Sequence, residues 1–340
     1  MPSSAKSASR TDGREDRALV VGVNWLGDAI MAMPALQAFQ AANPACSITL
    51  LSKPGLVPLW SMHGVPSDVV TLVESPSGTF GTASFLRYQR FAVSYILPNS
   101  FRSALVPFLA CIPERVGLPG HGRSFMLTRK VAAPSSPDLQ HQQYEMASIL
   151  GVLDQRPLPG PQLNPSAKAM QQADVLLDGL RQPVVALIPG AARGPSKRWP
   201  SDSFIAVGRA IASKAGLVIL GSAAERELGD AVVRGIGAGT NLAGKTDLET
   251  FAAVLSRCKV VVCNDSGGMH LAAAVGARVV AIYGLTDPGK TGPLGEGHRV
   301  IRASMQGSRD IARTDAEAER CLAELKPDVV LSAVEELLLS

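Results

Sequence analysis

A strand–loop–helix–strand–loop pattern over residues 258–294 constrains the fold more than any other part of the chain. The apolar, β-branched run 259–263 is typical of a buried parallel strand. Residues 264–268, Asn-Asp-Ser-Gly-Gly, interrupt it with residue types that cap helices and tolerate tight turns. An Ala-rich helix over 269–275 and a second strand over 279–283 are predicted to follow.

Both polar loops of this unit, 264–268 and 284–293, leave from the carboxyl end of a predicted strand. In an open parallel sheet, ligands bind beyond that edge. The first loop also opens a helix, whose free N–H groups and positive dipole end favour an anion such as phosphate. An ordinary βαβ unit with capping residues has the same pattern, so the rest of the chain must decide between the two interpretations.

Length and composition favour two α/β domains. A chain of 340 residues makes two domains the default, and a hydrophobic fraction of 46% is enough for two full-sized cores. Aromatic residues make up only 5%, which fits α/β layers better than a β-sandwich. The net charge of +4 agrees with an anionic ligand or a membrane surface. No Lys/Arg run is long enough to indicate nucleic-acid binding.

The cysteines and the apolar segments favour a cytoplasmic protein. The five cysteines are scattered and have neither C-x-x-C nor Cys/His metal spacing, so free thiols in a reducing compartment are the simplest interpretation. Residues 1–16 are polar, lack the apolar segment of a secretory signal, and are predicted to be a disordered lead-in. The apolar stretches end before the roughly 18 residues that a membrane helix needs.

The first domain is predicted over residues 17–165. It opens with a strand over 17–23 and a helix over 29–42, and Asp28 lies in the loop between them. This carboxylate either caps the helix or faces the cleft between the domains, and the sequence leaves both open. The loop lacks the G-x-G-x-x-G fingerprint, which argues against an NAD enzyme.

Basic residues also mark a Gly/Pro-containing segment, 118–138, which is predicted to be a mobile loop. Arg123, Arg129 and Lys130 are candidate contacts for an acidic acceptor substrate. A solvated basic loop is the alternative for each of them. The proline-rich residues 155–167 are predicted to link the domains.

The second domain is predicted over residues 168–326, followed by a C-terminal helix within 327–340. Its loop 189–200 combines small residues and prolines with Lys197, features that suit a phosphate site, although a plain basic loop is possible. Glu225 and Glu227 follow the next strand, where either offsets a helix dipole or bonds a ribose hydroxyl. The C-terminal helix has an apolar stripe, and the first domain is one place against which it can pack.

Together these patterns predict an α/β protein with two doubly wound, Rossmann-like parallel-sheet domains that face each other across a cleft, the GT-B architecture. Specific segments then resemble the ADP-heptose:lipopolysaccharide heptosyltransferases of glycosyltransferase family 9, most of all the heptosyltransferase II type. These segments are NWLGDAIMAMPALQAFQAANP at 24–44, IPGAARGPSKRWP at 188–200 and NDSGGMHLAAAVG at 264–276. The resemblance extends over nearly the whole chain from about residue 18.

The resemblance implies an inverting transfer of L-glycero-D-manno-heptose from ADP-heptose to a heptose of the lipopolysaccharide inner core. It implies that Asp28 is the general base on the acceptor hydroxyl and that Lys197 binds the donor phosphates. An acidic residue, Glu225 or Glu227, would meet the nucleotide ribose. The residues implied to hold the diphosphate and heptose are Asp265, Ser266, Gly267, Gly268 and His270.

The chemistry of inversion agrees, since it requires a base and stabilisation of the departing diphosphate. The sequence has no D-x-D carboxylate pair, so we expect no metal and no cofactor, with ADP-heptose as donor substrate. The expected partners are the nucleotide sugar, a lipopolysaccharide core or lipid A acceptor, and transiently the inner-membrane surface, but no nucleic acid. The expected location is the cytoplasm, including the cytoplasmic face of the inner membrane.

Two alternatives stay open at this point. One is a related glycosyltransferase that uses another nucleotide sugar or another acceptor. The other is a non-catalytic nucleotide-sugar-binding protein on the same fold. The presence of Asp28 argues against the second, because a pure binding protein needs no base.

Overall fold

The computed structural model of the protein describes residues 17–303, 312 and 314–340. The disordered lead-in predicted for residues 1–16 lies outside this part of the chain.

A first sheet of six parallel strands has the order β3-β2-β1-β4-β5-β6. Its strands are Arg17–Val21 (β1), Ser47–Ser52 (β2), Asp68–Thr71 (β3), Val93–Ile96 (β4), Glu114–Gly117 (β5) and Arg129–Lys130 (β6). The helices in this half are Leu26–Ala42 (α1), Val57–His63 (α2), Pro76–Tyr88 (α3), Phe101–Leu109 (α4) and Gln142–Leu150 (α5).

A second parallel sheet of six strands has the order β12-β11-β10-β7-β8-β9. Its strands are Val184–Ile188 (β7), Gly216–Ile219 (β8), Thr240–Asn241 (β9), Val260–Asn264 (β10), Arg278–Tyr283 (β11) and Arg299–Arg302 (β12). The helices in this half are Ala167–Leu176 (α6), Ser201–Ile211 (α7), Arg226–Ile236 (α8), Leu248–Ser256 (α9), Gly267–Ala274 (α10), Pro288–Thr291 (α11), Ala316–Glu324 (α12) and Pro327–Leu339 (α13).

Each sheet reverses its strand order once, between β1 and β4 in the first and between β7 and β10 in the second. Loops at such a switch point diverge to opposite faces of the sheet and leave a crevice at its carboxyl edge. The loop after β1 carries residues 22–25, and the loops after β7 and β10 carry residues 189–200 and 265–266. The topology therefore brings the sequence motifs to the two crevices. The predicted pair of doubly wound α/β domains is confirmed.

An apolar core continues from one half of the molecule into the other. It contains Met33 and Leu36 of α1, Met146 of α5, and Leu255 and Leu271 of the second half, all nearly inaccessible to solvent. Helix α1 packs directly on α10. Burial of apolar surface across this contact holds the two domains together. In the described part of the chain, no helix combines the length and apolar character needed to span a bilayer.

The C-terminal helix packs differently from the placement considered from its sequence. Helix α13 lies against α7 and strands β10 to β12 of the second sheet, so packing on the first domain is wrong. Val330, Val334 and Leu337 are buried there in the second domain's own core. The predicted apolar stripe is confirmed at these three residues, whereas its first member, Val329, is half exposed. The sheet face left open beside α7 decides what the stripe covers.

Candidate active site

A cavity of about 520 Å³ lies between the two domains, where both switch points meet. The first domain contributes the start of α1 and one residue of α5, and the second contributes the segments after β7, β8, β9 and β10 and one residue of α11. All eight residues proposed from the sequence for catalysis and donor binding line this cavity: Asp28, Lys197, Glu225, Asp265, Ser266, Gly267, Gly268 and His270.

Asp28 belongs to the first turn of α1 and is not its N-cap. The cap position is held by Trp25, which has extended backbone and no side-chain capping bond. The interpretation of Asp28 as the N-cap of this helix is therefore wrong. A carboxylate in the first turn still interacts favourably with the helix dipole. Its side chain borders the cavity from the first domain.

On the opposite wall, Lys197 and Asp265 form an ion pair through Nζ and Oδ2. Their side chains are only 12% and 7% exposed. A pair this buried loses much of its hydration, and it is stabilised when further polar groups join it. Because the ammonium group has three donors, it can keep the carboxylate and still bond an anion in the cavity. The pair thus supplies a fixed cation beside the start of α10.

Asn264 fixes the position of this pair, and sequence reasoning did not single it out. Its side chain is fully buried, and Nδ2 donates to the carbonyl oxygens of Pro189 and Gly190 at 2.9 and 3.3 Å. Its Oδ1 accepts from the backbone N–H of Trp199 at 2.9 Å. One amide therefore ties both ends of the Lys197 loop to the strand that precedes Asp265. A polar residue ending an otherwise apolar buried strand was the available signal.

The start of α10 presents polar groups to the cavity. Ser266 is the N-cap residue but its side chain makes no capping bond, and its Oγ is buried without a hydrogen-bond partner among the described residues. Gly267 and Gly268 form the first turn beside it. The first N–H groups of a helix have no intrahelical acceptor, so this end is suited to an anion.

His270 is the fourth residue of α10, and it is almost completely buried. Burial lowers the pKa of its imidazole to about 4; nearby Asp265 opposes the shift, while His141 and Lys197 add to it. The ring is therefore neutral at physiological pH. Its Nδ1 has no hydrogen-bond partner in the described structure. Since the ring also borders the cavity, it offers a neutral hydrogen-bonding group to a ligand.

Glu225 reaches the cavity, whereas Glu227 is not among the lining residues. The Glu225 carboxylate accepts from Ser222 N–H and Oγ, both at 2.8 Å, in a capping box. It also lies so close to Gly190 that a Cβ there would be 1.9 Å from Oε1. Only glycine at that position leaves room for the carboxylate. The choice between the two acids left open by the sequence therefore favours Glu225.

The three candidate acceptor contacts do not line the cavity. Arg123 is fully buried, and its guanidinium donates to the carbonyl oxygens of Leu118 and Pro98. The expectation that it extends from a solvated loop is therefore wrong, because it holds that segment against the sheet. Arg129 is paired with Glu114 at 2.9 Å, and Lys130 is exposed beside it on β6.

Within residues 17–303, 312 and 314–340, no three His, Cys, Asp or Glu side chains come together as a metal site. Metal independence remains a prediction for experiment.

The two facing doubly wound domains and the polar cavity between them have the architecture of the GT-B class of glycosyltransferases. Residues 82–320 match glycosyltransferase family 9 (heptosyltransferase). The chain belongs to this family, and the resemblance found in its sequence is confirmed.

Individual relatives agree with this assignment. Lipopolysaccharide heptosyltransferase 2 of Salmonella typhimurium is 31% identical, over 94% of this chain and 98% of the relative. Lipooligosaccharide heptosyltransferase 2 of Haemophilus influenzae is 29% identical, over 94% and 99%. The solved structure of Escherichia coli ADP-heptose lipopolysaccharide heptosyltransferase II has a TM-score of 0.81 and 29% identity, covering 95% of this chain and 98% of that one.

Proposed function

We propose that the enzyme transfers heptose with inversion from ADP-L-glycero-D-manno-heptose to a heptose of the lipopolysaccharide inner core. Heptose transfer in lipopolysaccharide core synthesis is the activity that its relatives support. The observation that carries the proposal is the division of one cavity between two domains: Asp28 borders it from the first, and the Lys197–Asp265 pair borders it from the second.

In this proposal Asp28 acts as the general base. It removes the proton from the acceptor hydroxyl as the oxygen attacks the anomeric carbon from the face opposite the leaving group. A positioned base contributes roughly 10²–10⁴-fold to the rate of such a step.

The second domain stabilises the departing ADP. Lys197 donates to the diphosphate while Asp265 keeps the ammonium group in place, and the first N–H groups of α10 add donors aimed at the same region. Ser266 Oγ and neutral His270, each with a polar atom that has no partner in the described structure, bond phosphate or sugar oxygens. Glu225 accepts from a ribose hydroxyl.

The proposed reaction needs no metal, because lysine and the helix N-terminus neutralise the charge on the diphosphate. Activity is expected to be unchanged by EDTA. Loss of activity that added Mg²⁺ or Mn²⁺ restores would contradict this part of the mechanism.

The acceptor is a membrane-bound lipid and the donor a soluble nucleotide sugar. We therefore place the enzyme in the cytoplasm, working at the cytoplasmic face of the inner membrane.

The test of the function is a substrate panel with product masses measured. ADP-heptose and other nucleotide sugars are each supplied with core acceptors that carry zero, one or two heptoses. We expect product only with ADP-heptose and an acceptor that already carries heptose. Efficient transfer from a different nucleotide sugar would replace the proposed donor.

The test of the mechanism compares variants at the two walls. Asp28→Asn is expected to lower kcat by roughly 10²–10⁴-fold while ADP binding persists, since only the base is lost. Lys197→Ala is expected to weaken binding of ADP-heptose. The matched control is Asp174→Asn, an exposed residue paired with Arg257 on the surface, where ion pairs contribute little. Near-normal turnover by Asp28→Asn would exclude it as the base.

A further inference from the structure

The positive charge of the protein is concentrated in one stretch of the first domain. Residues 75–137 contain seven Lys and Arg residues and a single acid, Glu114, a net of +6 against +4 for the whole chain. That one acid is already paired with Arg129. Arg87 at the end of α3 and Arg102 at the start of α4 are both exposed. The rest of the chain is slightly acidic, so this region is electrostatically distinct.

The same stretch exposes most of the aromatic surface. Of seven exposed aromatic side chains in the described chain, six lie here: Phe80, Phe85, Tyr88, Phe101, Phe108 and Phe125. Phe125 and Tyr88 are 67% and 81% exposed. Monomeric proteins seldom leave contiguous apolar surface of this kind open unless it contacts something.

These side chains form a structured patch. The ring centroid of Phe125 lies 6.3 Å from that of Phe101 and 6.0 Å from that of Phe108, and the guanidinium of Arg115 lies 5.6 Å from the Phe108 centroid. Helix α3, with the other three exposed rings, packs against α4. We call this surface, made of α3, α4 and residues 118–130, the outer aromatic face.

The outer aromatic face points away from the second domain. Helices α3 and α4 cover one face of the first sheet through Ala83, Leu86 and Ala104, whereas α1 and α5 cover the other and continue into the second domain. At one end, Phe101 opens α4 directly after β4, the neighbour of β1. This end therefore shares the sheet edge that carries Asp28.

The geometry points to the outer aromatic face as the surface that docks on an anionic lipid bilayer. Aromatic rings favour the bilayer interface, where an apolar body and the headgroup region are both available. Arginines beside them are attracted to anionic headgroups. A second copy of the chain fits less well, because a symmetric contact would bring two surfaces together that each expose basic residues, Arg87, Arg102 and Lys130. The inference rests on the proposed function only for the purpose of docking, which is to reach a lipid acceptor. Docking on the bilayer itself requires neither the donor nor the acceptor.

The test is sedimentation of the full-length protein with phosphatidylcholine vesicles, with and without phosphatidylglycerol. We expect binding only to the anionic vesicles, decreasing as salt is raised. The variant Phe101→Ser/Phe108→Ser/Phe125→Ser is expected to bind at least roughly tenfold more weakly. The variant Arg87→Gln/Arg102→Gln is expected to bind the anionic vesicles at least roughly tenfold more weakly, since each arginine contributes about fivefold to the affinity. The control Val175→Ser/Val329→Ser removes exposed apolar side chains from the second domain and should bind normally.

Circular dichroism and ADP binding of each variant show whether it is folded. Equal binding to neutral and anionic vesicles, or normal binding by the triple phenylalanine variant, would overturn the inference. The inference would also be overturned if light scattering showed a dimer that the triple phenylalanine variant converts to a monomer. A second copy of the chain would then cover the outer aromatic face. Transfer to a delipidated core acceptor is measured in parallel. If that activity is absent while vesicle binding behaves as expected, the proposed function fails and the docking surface stands.

Discussion

At Gly27 the two domains approach more closely than a side chain would allow. A Cβ atom there would lie 2.8 Å from Cδ2 of His270, across the boundary between α1 and α10. Because His270 is buried, its ring cannot move away without disturbing the start of α10. The lack of a side chain at Gly27 therefore allows the two walls of the cavity to lie this close together.

We expect Gly27→Ala to lower kcat/KM by roughly tenfold to 100-fold, since small displacements of reacting groups have effects of this size. The folded state should persist, because alanine suits a helix. The control is Gly55→Ala, where an added Cβ meets nothing within 4 Å. Steady-state kinetics with both variants checks the prediction, and equal activities would contradict it.

The imidazole of His270 gives a second prediction, for stability against pH. Its pKa is about 4 in the folded protein and about 6.5 when unfolded. As pH falls from 6.5 towards 4, the unfolded chain takes up a proton that the folded chain does not, so folding stability is lost across that window. Between pH 7 and pH 5 this one group should remove about 2 kcal/mol.

The measurement compares urea unfolding of the wild type and His270→Asn at pH 7 and pH 5. The variant should lose about 2 kcal/mol less over this interval. Burial also lowers the pKa values of His63, His141 and His298. These residues are present in both proteins, so the contributions of His63 and His298 cancel in the comparison, and that of His141 changes only through its weaker interaction with His270. An identical pH dependence would show that His270 is not buried in its neutral form.

At the scale of elements, the two loops that follow β7 and β10 behave as one unit because Asn264 bonds both. Replacing it with alanine would leave the Trp199 N–H and the carbonyl oxygens of Pro189 and Gly190 buried without this partner. We expect Asn264→Ala to cost about 2–4 kcal/mol of folding stability and to weaken ADP binding, because Lys197 belongs to the freed loop.

Asn241→Ala is the matched control for this effect. The Asn241 amide is also buried and makes bonds to Arg226 O, Asp230 and Ala243 N–H, but it does not line the cavity. Both variants should lose stability in urea unfolding, and only Asn264→Ala should lose ADP affinity in calorimetry. Comparable ADP affinities would show that the loop is held by other contacts.

Helices and strands with a strong hydrophobic or propensity pattern were predicted well from the sequence, and those with a weak pattern were not. The unit around Asn264 was located to within two residues, because its strands are short buried runs rich in valine and its helix is Ala-rich. Helix α3 was missed, since PSGTFGTASFLRY is rich in Gly, Ser and Thr, which have low helix propensity. Its start was nevertheless signalled, by the Ser75 cap and by Pro76 in the first turn.

At the scale of the whole molecule, the loop 284–293 is a bridge between domains, a role that the sequence did not reveal. Its short helix α11 lies near α5: His141 Nε2 is 3.2 Å from Gly292 O, while Nδ1 accepts from Gln143 N–H. Because Nδ1 is an acceptor, Nε2 carries the proton and donates across the boundary. Tyr283 Oη donates to Thr291 O at 2.7 Å, which holds the loop from its own side.

We expect the loss of this bridge to loosen the contact between the two domains. His141→Ala and His141→Ser both remove the bond to Gly292, but serine can still cap α5. Both variants should have lower kcat/KM, and only the alanine variant should lose about 1 kcal/mol more in unfolding free energy. If the serine variant has wild-type kinetics, the bridge has no part in turnover.

The tertiary contacts of individual residues could not be predicted from the sequence. The motif residues were placed correctly because carboxyl ends of parallel strands meet by topology. The buried position of Arg123 depends on carbonyl oxygens of Pro98 and Leu118, and the packing of α13 depends on an open sheet face beside α7. Neither dependence is encoded in the local pattern of the residues concerned.

The starts of α1 and α10 face the same cavity with unequal charge. Helix α1 carries Asp28 in its first turn, whereas the first turn of α10 has no acid. An acid in the first turn offsets the helix dipole, so the start of α1 attracts an anion less than the start of α10, and the cleft has a built-in polarity. An anion entering it has one favourable orientation. We therefore expect free ADP to inhibit competitively against the sugar donor and not against the acceptor, and initial-rate measurements with ADP present can establish this.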